Sequence, residues 1–168
     1  MSRGAAQDDK RTVFYAKDIH QMNLVLGKFL QKTGAETVLL VDAAGHLVAR
    51  QGETSPSSED TITALVAGTF AASQAMAEML GAAEFSSLIP CGDERSLMLL
   101  RAGDHALLAV AFGDDSSVTL IRTYALESIR RIAALYKSQS TTNADPDERI
   151  QGQRFDNEID GALDGVFG

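Results

Sequence analysis

The chain has 168 residues, an apolar fraction of 45% and a formal net charge of −8. This length and composition are typical of one globular domain with a single core. No apolar run approaches the roughly 20 residues of a membrane helix, and residues 1–12 lack the apolar stretch of a signal peptide. We therefore expect a cytoplasmic protein without membrane insertion. Cys91 is the single cysteine, which excludes an internal disulfide.

The negative charge is concentrated toward the C-terminal end of the chain. Residues 138–168 carry a net −5, residues 12–137 carry −4 and residues 1–11 carry +1. A cluster of Lys and Arg is the feature expected for binding to nucleic acid or to an anionic membrane surface, and the sequence shows no such cluster. The expected partners are therefore proteins or small molecules, and not nucleic acid.

The first part of the chain predicts a helix followed by a hairpin. Apolar residues at helical spacing predict the first helix over 18–32, and Gly34 follows as a stop signal. Two short apolar segments, 37–41 and 47–50, flank a turn that contains Gly45. This arrangement is typical of two paired antiparallel strands.

The remaining elements are a long helix, three strands and a last helix. Capping residues and acids precede a second helix over 59–80, and strands are predicted over 85–90, 96–101 and 105–112. The last two strands are almost continuously apolar, so helices must cover both faces of the sheet. The last helix, 117–137, is expected to cover one face while its arginines point outward. The order predicts an α/β (α+β) fold, α-β-β-α-β-β-β-α.

Three segments carry a resemblance to a known family: VLLVDAAGHLVA at 38–49, RSLMLLR at 95–101 and GDHALLAV at 103–110. With the Ala/Gly-rich second helix, they resemble the roadblock or dynein-light-chain family over about residues 18–137. The resemblance implies a five-stranded antiparallel sheet with one helix on one face and two on the other, a homodimer or heterodimer, and association with Ras-like small GTPases or motor complexes. It is strongest to bacterial MglB-like regulators of polarity and motility, which modulate hydrolysis by a partner GTPase through the dimer's helical face.

The second helix is expected to carry a contact surface. If it packs on the sheet through Ile62, Leu65, Val66, Thr69, Ser73, Met76 and Leu80, the opposite face holds small residues at helical spacing, where another backbone would approach closely. That face contains one charge, on Glu78, and consists otherwise of Ala64, Ala67, Gly68, Ala71, Ala75 and Met79. The alternative is that alanine, the best helix former, simply faces solvent.

The third strand is expected at a sheet edge if the family topology holds. Its residues Phe85, Ser86, Ser87 and Leu88 include no lysine or proline that would protect an unpaired edge. Pairing with a second copy across a two-fold axis would bury this edge. The sequence therefore predicts a homodimer formed through the third strand and the second helix.

Both ends of the chain lie outside the predicted domain of residues 18–137. Residues 1–17 form an N-terminal extension, residues 138–153 are polar and predict a flexible linker, and residues 154–168 predict an acidic amphipathic helix. The last segment would dock on a partner's groove through apolar residues at helical spacing: Phe155, Ile159, Leu163 and Phe167. The alternatives are a disordered solubilising end and a helix that folds back on its own domain.

The sequence offers no catalytic site of its own. Cys91 lies beside two acidic residues that disfavour a thiolate. Three histidines, His20, His46 and His105, form no pair with the spacing of metal ligands, so no metal or cofactor is expected. The sequence contains no phosphate-binding glycine motif, so the chain is not itself a GTPase.

An arginine finger has to be weighed as well, because an inserted guanidinium raises GTP hydrolysis by roughly 10³ to 10⁵. Arg50, Arg95 and Arg101 lie in loops or at strand ends, but no neighbouring residue singles one out. We therefore favour a regulator that binds a Ras-like GTPase and selects its hydrolysis-competent conformation. A dimeric scaffold that binds regardless of nucleotide is the alternative, and an uncharacterised enzyme or sensor is a third.

Overall fold

The structure, a computed structural model, describes residues 16–142. Three long helices and five strands follow one another in the predicted order, with a short 3₁₀ turn, Pro56–Ser58, before the second helix. Their bounds are α1 Ala16–Thr33, β1 Thr37–Asp42, β2 Leu47–Gly52, α2 Glu59–Met79, β3 Ser87–Leu88, β4 Arg95–Arg101, β5 Ala106–Gly113 and α3 Val118–Thr142.

All five strands form one antiparallel sheet in the order β2-β1-β5-β4-β3. The central strands β1 and β5 are buried almost throughout, because helices cover both faces, as their continuous apolar sequences predict. The strands β2 and β3 lie at the two edges. The predicted five-stranded antiparallel sheet is confirmed.

The helices divide the core into two layers, one on each face of the sheet. On one face, α1 and α3 pack on the sheet around Phe29, Phe112 and Ile132. On the other face, α2 covers a smaller apolar cluster that includes Val66, Phe70 and the strand residue Leu99. The predicted arrangement of one helix on one face and two on the other is therefore confirmed.

The tip of the β1–β2 hairpin is fixed by an aspartate and a glycine. The backbone N–H groups of Ala44 and His46 donate hydrogen bonds to Oδ1 of Asp42, at 3.0 and 2.8 Å, which is the local bonding that favours Asp in turns. Gly45 has a φ of 90°, a left-handed conformation that favours glycine. The hairpin tip then lies against α2.

Two boundaries differ from the sequence prediction. The strand predicted over 85–90 is assigned over Ser87–Leu88 alone, although the carbonyls of Ser86 and Pro90 on either side also accept hydrogen bonds from β4. At the other end, α3 continues to Thr142, so residues 138–142, predicted to belong to a linker, are helical. The rest of the predicted linker, the C-terminal segment and residues 1–15 lie outside the described residues.

One prediction about α3 is wrong in part. Its arginines were all expected to point outward, but the side chain of Arg131 is only 15% exposed, and its Nη2 lies 2.9 Å from Oε1 of Glu127. These two residues are four apart, so they lie on the same side of the helix and form an ion pair. Arg122 and Arg130 are exposed as predicted.

Candidate functional site

The second helix is rotated relative to the orientation expected from its sequence. Its buried residues are Thr63, Val66, Phe70, Ser73 and Ala77. Leu65, Met76 and Leu80 were expected to face the sheet, but they are 64%, 52% and 76% exposed. The reason is Phe70, the only aromatic residue of α2: its large side chain takes the central position against the sheet and turns these three residues outward.

This rotation produces an exposed apolar surface, which we call the α2 face. Met79, at 88% exposure, is the most exposed of its large side chains. The surface contains no charged residue, and Glu78 at its border is exposed. Contiguous exposed apolar patches on soluble domains commonly mark interaction sites. The α2 face consists of Ala64, Leu65, Gly68, Ala71, Ala72, Ala75, Met76 and Met79, all of them exposed.

The two ends of α2 lie over different parts of the sheet. Near its start, a Cβ placed on Gly45 of the hairpin would be 3.1 Å from the Cα of Ala64, so the helix and the hairpin tip are in close contact. In its second half, Nε2 of Gln74 donates a hydrogen bond of 2.9 Å to the carbonyl of Phe85, just before β3. The end of the α2 face that carries Met79 is therefore beside the β3 edge.

The edge strand β3 presents unpaired backbone groups on its open side. The backbone N–H of Arg101 donates to the carbonyl of Ser86 at 3.2 Å, and that of Leu97 donates to the carbonyl of Pro90 at 3.0 Å. Because successive residues of a strand direct their N–H and C=O to opposite sides, the polar backbone groups of Ser87 point away from β4. The edge is therefore able to pair with another strand.

A small cavity of about 160 Å³ lies where α2 meets the two turns at one end of the sheet. Phe70 and Leu107 contribute apolar walls, Ala71 of the α2 face borders it, and Arg101 and Asp104 contribute polar groups. This volume is that of a single side chain rather than of a cofactor.

All three arginines considered as fingers are engaged by carboxylates. Arg50 pairs with Glu59 and Arg101 pairs with Glu84. Arg95 Nε lies 3.2 Å from Oε2 of Glu36. Withdrawing any of these guanidinium groups to reach a nucleotide would first break its ion pair.

The other candidates for chemistry lie apart from one another. Cys91 is exposed, and its Sγ lies 3.6 Å from the carbonyl oxygen of Ile89. His46 Nδ1 lies 3.1 Å from Oδ2 of Asp42 on the exposed hairpin. Within residues 16–142, no group of three or more His, Cys, Asp or Glu residues is placed to hold a metal ion. In the same range, every helix is too short or too polar to span a bilayer.

The structure brings most of the predicted site residues together. Ala64, Gly68, Ala71, Ala75, Glu78 and Met79 are exposed on α2, and Phe85, Ser86, Ser87 and Leu88 lie next to its second half, with Ser86 exposed and the others half-buried. The sequence prediction missed Leu65, Ala72 and Met76. The signal that could have found them is Phe70, because burial of this aromatic side chain against the sheet places them on the exposed side of α2. The predicted docking residues Phe155, Ile159, Leu163 and Phe167 lie outside the described residues.

The sheet, its three helices and the exposed apolar helix define a small α/β domain of the roadblock type. The chain belongs to the Roadblock/LC7 domain family, whose model matches residues 22–112. A search of curated proteins finds no match.

Among solved structures, the chain is similar to three of MglB. It is 30% identical to an MglB with a tetrameric arrangement, covering 74% of this chain and 94% of that chain with a TM-score of 0.69. It is 26% identical to Myxococcus xanthus MglB, covering 75% and 95% with a TM-score of 0.70. It is 30% identical to the gliding protein MglB of Thermus thermophilus, covering 74% and 95% with a TM-score of 0.69.

Proposed function

We propose that this chain is a dimeric regulator of a Ras-like small GTPase in the cytoplasm, and that it acts by binding rather than by contributing catalytic side chains. The observation that carries the proposal is the α2 face, which exposes Leu65, Met76 and Met79 without a charged residue among them. Such a surface is expected to be covered by a partner. The similarity to MglB, called a gliding protein in Thermus thermophilus, supports a role in motility or polarity.

The dimer we propose forms through the β3 edge and the adjoining end of α2. Pairing of Ser87 with its copy would continue the sheet into the second protomer, because its backbone groups face the open side. Met79 and Leu80, which are 88% and 76% exposed, follow Gln74 toward this edge and would be covered by the second protomer. The two α2 helices would then lie on the same side of one continuous sheet.

The remaining part of each α2 face forms the surface that we propose for the GTPase. It begins over the hairpin tip at Ala64 and includes Leu65 and the exposed Gly68, whose missing side chain leaves open space above the helix. A partner backbone can therefore approach closely there. The cavity beside Ala71 would receive one apolar side chain of the GTPase.

The proposed mechanism is a shift of the GTPase toward its hydrolysis-competent conformation. Binding shifts such an equilibrium only by its difference in affinity for the two states, so the α2 face would fit the active arrangement of the GTPase better than the inactive one. The ion pair of Arg50 with the largely buried Glu59 argues against Arg50 as a donated arginine, whereas the pairs of Arg95 and Arg101 are exposed and weigh little.

Single-turnover GTP hydrolysis by a purified Ras-like GTPase from the same organism tests the proposal. The full chain should accelerate hydrolysis, and Leu65→Asp should reduce the acceleration at limiting concentration by about tenfold or more, since a charge placed in an apolar interface costs at least about 1.4 kcal/mol. Val118→Asp is the matched control, because Val118 is 42% exposed at the start of α3, away from the α2 face.

Two results of this assay would contradict the proposal. Undiminished stimulation by Leu65→Asp would show that the α2 face does not contact the GTPase. An Arg50→Ala or Arg101→Ala chain that binds normally but no longer stimulates would replace the proposed mechanism with a donated arginine.

A dimeric scaffold is the second candidate function. The tetrameric arrangement of one similar MglB favours it, since assembly into a larger complex is the property that a scaffold requires. A scaffold would bind its partner equally well in the GDP and GTP states, whereas the proposed regulator would distinguish them.

A further inference from the structure

Basic residues collect on the helical layer formed by α1 and α3. These helices contain seven Lys and Arg against two Asp and Glu, a net charge of +5. The other described residues contain three Arg against twelve Asp and Glu. The domain is therefore electrically polarised, with its positive side on the face of the sheet opposite α2. The bases are dispersed along both helices, so the sequence shows no run of them.

Exposed leucines lie among these basic residues. Leu126, 40% exposed, is one helical turn from both Arg122 and Arg130, which are exposed on the same side of α3. Leu24, 51% exposed, is one turn before Lys28 on α1. The two helices pack side by side. Together these five residues define what we call the α1–α3 face, a surface that is both apolar and basic.

The last residues of the same chain have the complementary composition. Residues 143–168 contain seven Asp and Glu against two Arg, a net charge of −5. Four apolar residues in this segment recur every four positions, with acids between them: Phe155, Ile159, Leu163 and Phe167. Residues 154–168 therefore match the α1–α3 face in charge and in apolar pattern.

The length of the chain allows this contact. The helix α3, which itself forms part of the face, is described up to Thr142, and residues 143–153 would span up to about 36 Å if they were extended. A helix over 154–168 would be about 22 Å long, shorter than α3. The segment can therefore reverse direction after α3 and lie along it.

We infer that residues 154–168 dock on the α1–α3 face of their own chain. Their acidic side chains contact Arg122 and Arg130, and their apolar side chains cover Leu24 and Leu126. The contact lies on the opposite side of the sheet from the α2 face, so it is independent of the GTPase proposed above and leaves that surface free.

Paramagnetic relaxation in the full-length chain tests this contact. A nitroxide is attached at Ala162→Cys in a Cys91→Ser background, and the amide signals of the ¹⁵N-labelled protein are measured with the nitroxide oxidised and reduced. The oxidised label should reduce signals around Leu24 and Leu126 by more than half and leave those of α2 unchanged. Raising the salt concentration to 1 M should weaken the effect, because the charges are exposed.

Charge reversal provides the specific control. Arg122→Glu with Arg130→Glu should abolish the signal loss, and adding Asp156→Lys with Asp160→Lys should restore it. Arg95→Glu, which reverses a base away from this face, should leave it intact. The unchanged amide spectrum of the remaining domain verifies that each variant is folded.

Several outcomes would overturn the inference. These are no signal loss, signal loss centred on α2 or β3, and loss that survives reversal of both arginines. In a second sample, ¹⁵N chains that carry no nitroxide are mixed with ¹⁴N chains that carry it. Signal loss in that sample would assign the contact to a neighbouring chain. Absence of signal loss together with Arg122-dependent sedimentation on phosphatidylglycerol vesicles would assign the face to a lipid surface.

Discussion

Gly45 is the residue at which the hairpin tip meets α2. Its φ is 90°, and a Cβ added there would lie 3.1 Å from the Cα of Ala64. Gly103, in the β4–β5 turn, also has a positive φ, 72°, but a Cβ there would meet nothing within 4 Å. Adding a side chain at Gly103 therefore costs only the strain of the left-handed backbone. Adding one at Gly45 costs that strain and also a steric clash with α2.

We expect Gly45→Ala to destabilise the domain by more than Gly103→Ala. The left-handed conformation alone costs a residue with a Cβ roughly 1 to 2 kcal/mol, and only Gly45→Ala must also displace α2. Urea unfolding followed by circular dichroism measures both values. Equal destabilisation by the two variants would show that the hairpin tip does not constrain α2.

Tyr136 introduces a pH dependence into the α1–α3 layer. Burial, and secondarily the negative charge of Asp42, raises the pKa of Tyr136 from 10.0 to about 12. The phenol is therefore protonated in the folded chain over a range where it ionises in the unfolded chain. By linkage, the folded state binds more protons there, so stability falls as the pH rises from 10 toward 12.

Replacing Tyr136 with Phe should reduce this loss of stability between pH 10 and 12. The free energy of unfolding of the wild type and of Tyr136→Phe is compared by denaturant titration at about pH 8, 10 and 11, which spans the onset of the expected loss. A difference between the two proteins that stays constant over this range would show that Tyr136 does not titrate with a raised pKa.

At the scale of the elements, α2 has the most informative orientation. Its sequence is apolar on nearly every side, so periodicity alone leaves the buried side ambiguous. Phe70 decides it, because an aromatic side chain gains the most from burial against Leu99 and its neighbours. Leu65 is exposed as a consequence of this orientation.

Truncation of these two side chains tests the orientation. Phe70 is 5% exposed and Leu65 is 64% exposed, so Phe70→Ala should cost about 3 to 5 kcal/mol of stability and Leu65→Ala less than about 0.5 kcal/mol. Thermal or urea unfolding measures the difference. Similar costs for the two variants would mean that α2 is rotated from the orientation described.

The elements also show where sequence reasoning succeeds. The hairpin was predictable because Gly45 and Asp42 carry local turn signals, and the central strands because continuous apolar runs require cover on both faces. The length of β3 was not, because regular pairing with β4 is a tertiary contact that covers only Ser87 and Leu88, with isolated hydrogen bonds at Ser86 and Pro90 beside them. The orientation of α2 failed for a related reason, since it depends on which side chain fills the space above the sheet.

At the scale of the whole molecule, the fold was predictable and the distribution of charge was not. The order of elements and the resemblance over residues 18–137 predict the sheet and the helical layers that the structure has. The basic layer became visible only in the folded chain, where α1 and α3, which are separated by residues 34–117, lie side by side. The presence of Arg122 and Arg130 in the sequence did not predict a basic surface, because acidic segments elsewhere make the total charge of the chain negative.

The proposed dimer is a property of the whole molecule, and removing one backbone N–H, that of Ser87, tests it. Ser87→Pro removes the N–H that faces the open side of β3 without affecting the groups that pair with β4. Light scattering of the full chain should give twice the chain mass for the wild type and for Ser87→Ala, and a single chain mass for Ser87→Pro. A monomeric wild type at micromolar concentration would remove the dimer from the account.

The most direct test of the central claim is the affinity of the full chain for a purified Ras-like GTPase in its two nucleotide states. Calorimetric titration should give at least tenfold tighter binding to the GTP-analogue form than to the GDP form, with Leu65→Asp weakening binding and Val118→Asp leaving it unchanged. Equal affinity for both forms, or binding that is indifferent to Leu65→Asp, would contradict a regulator that acts through the α2 face.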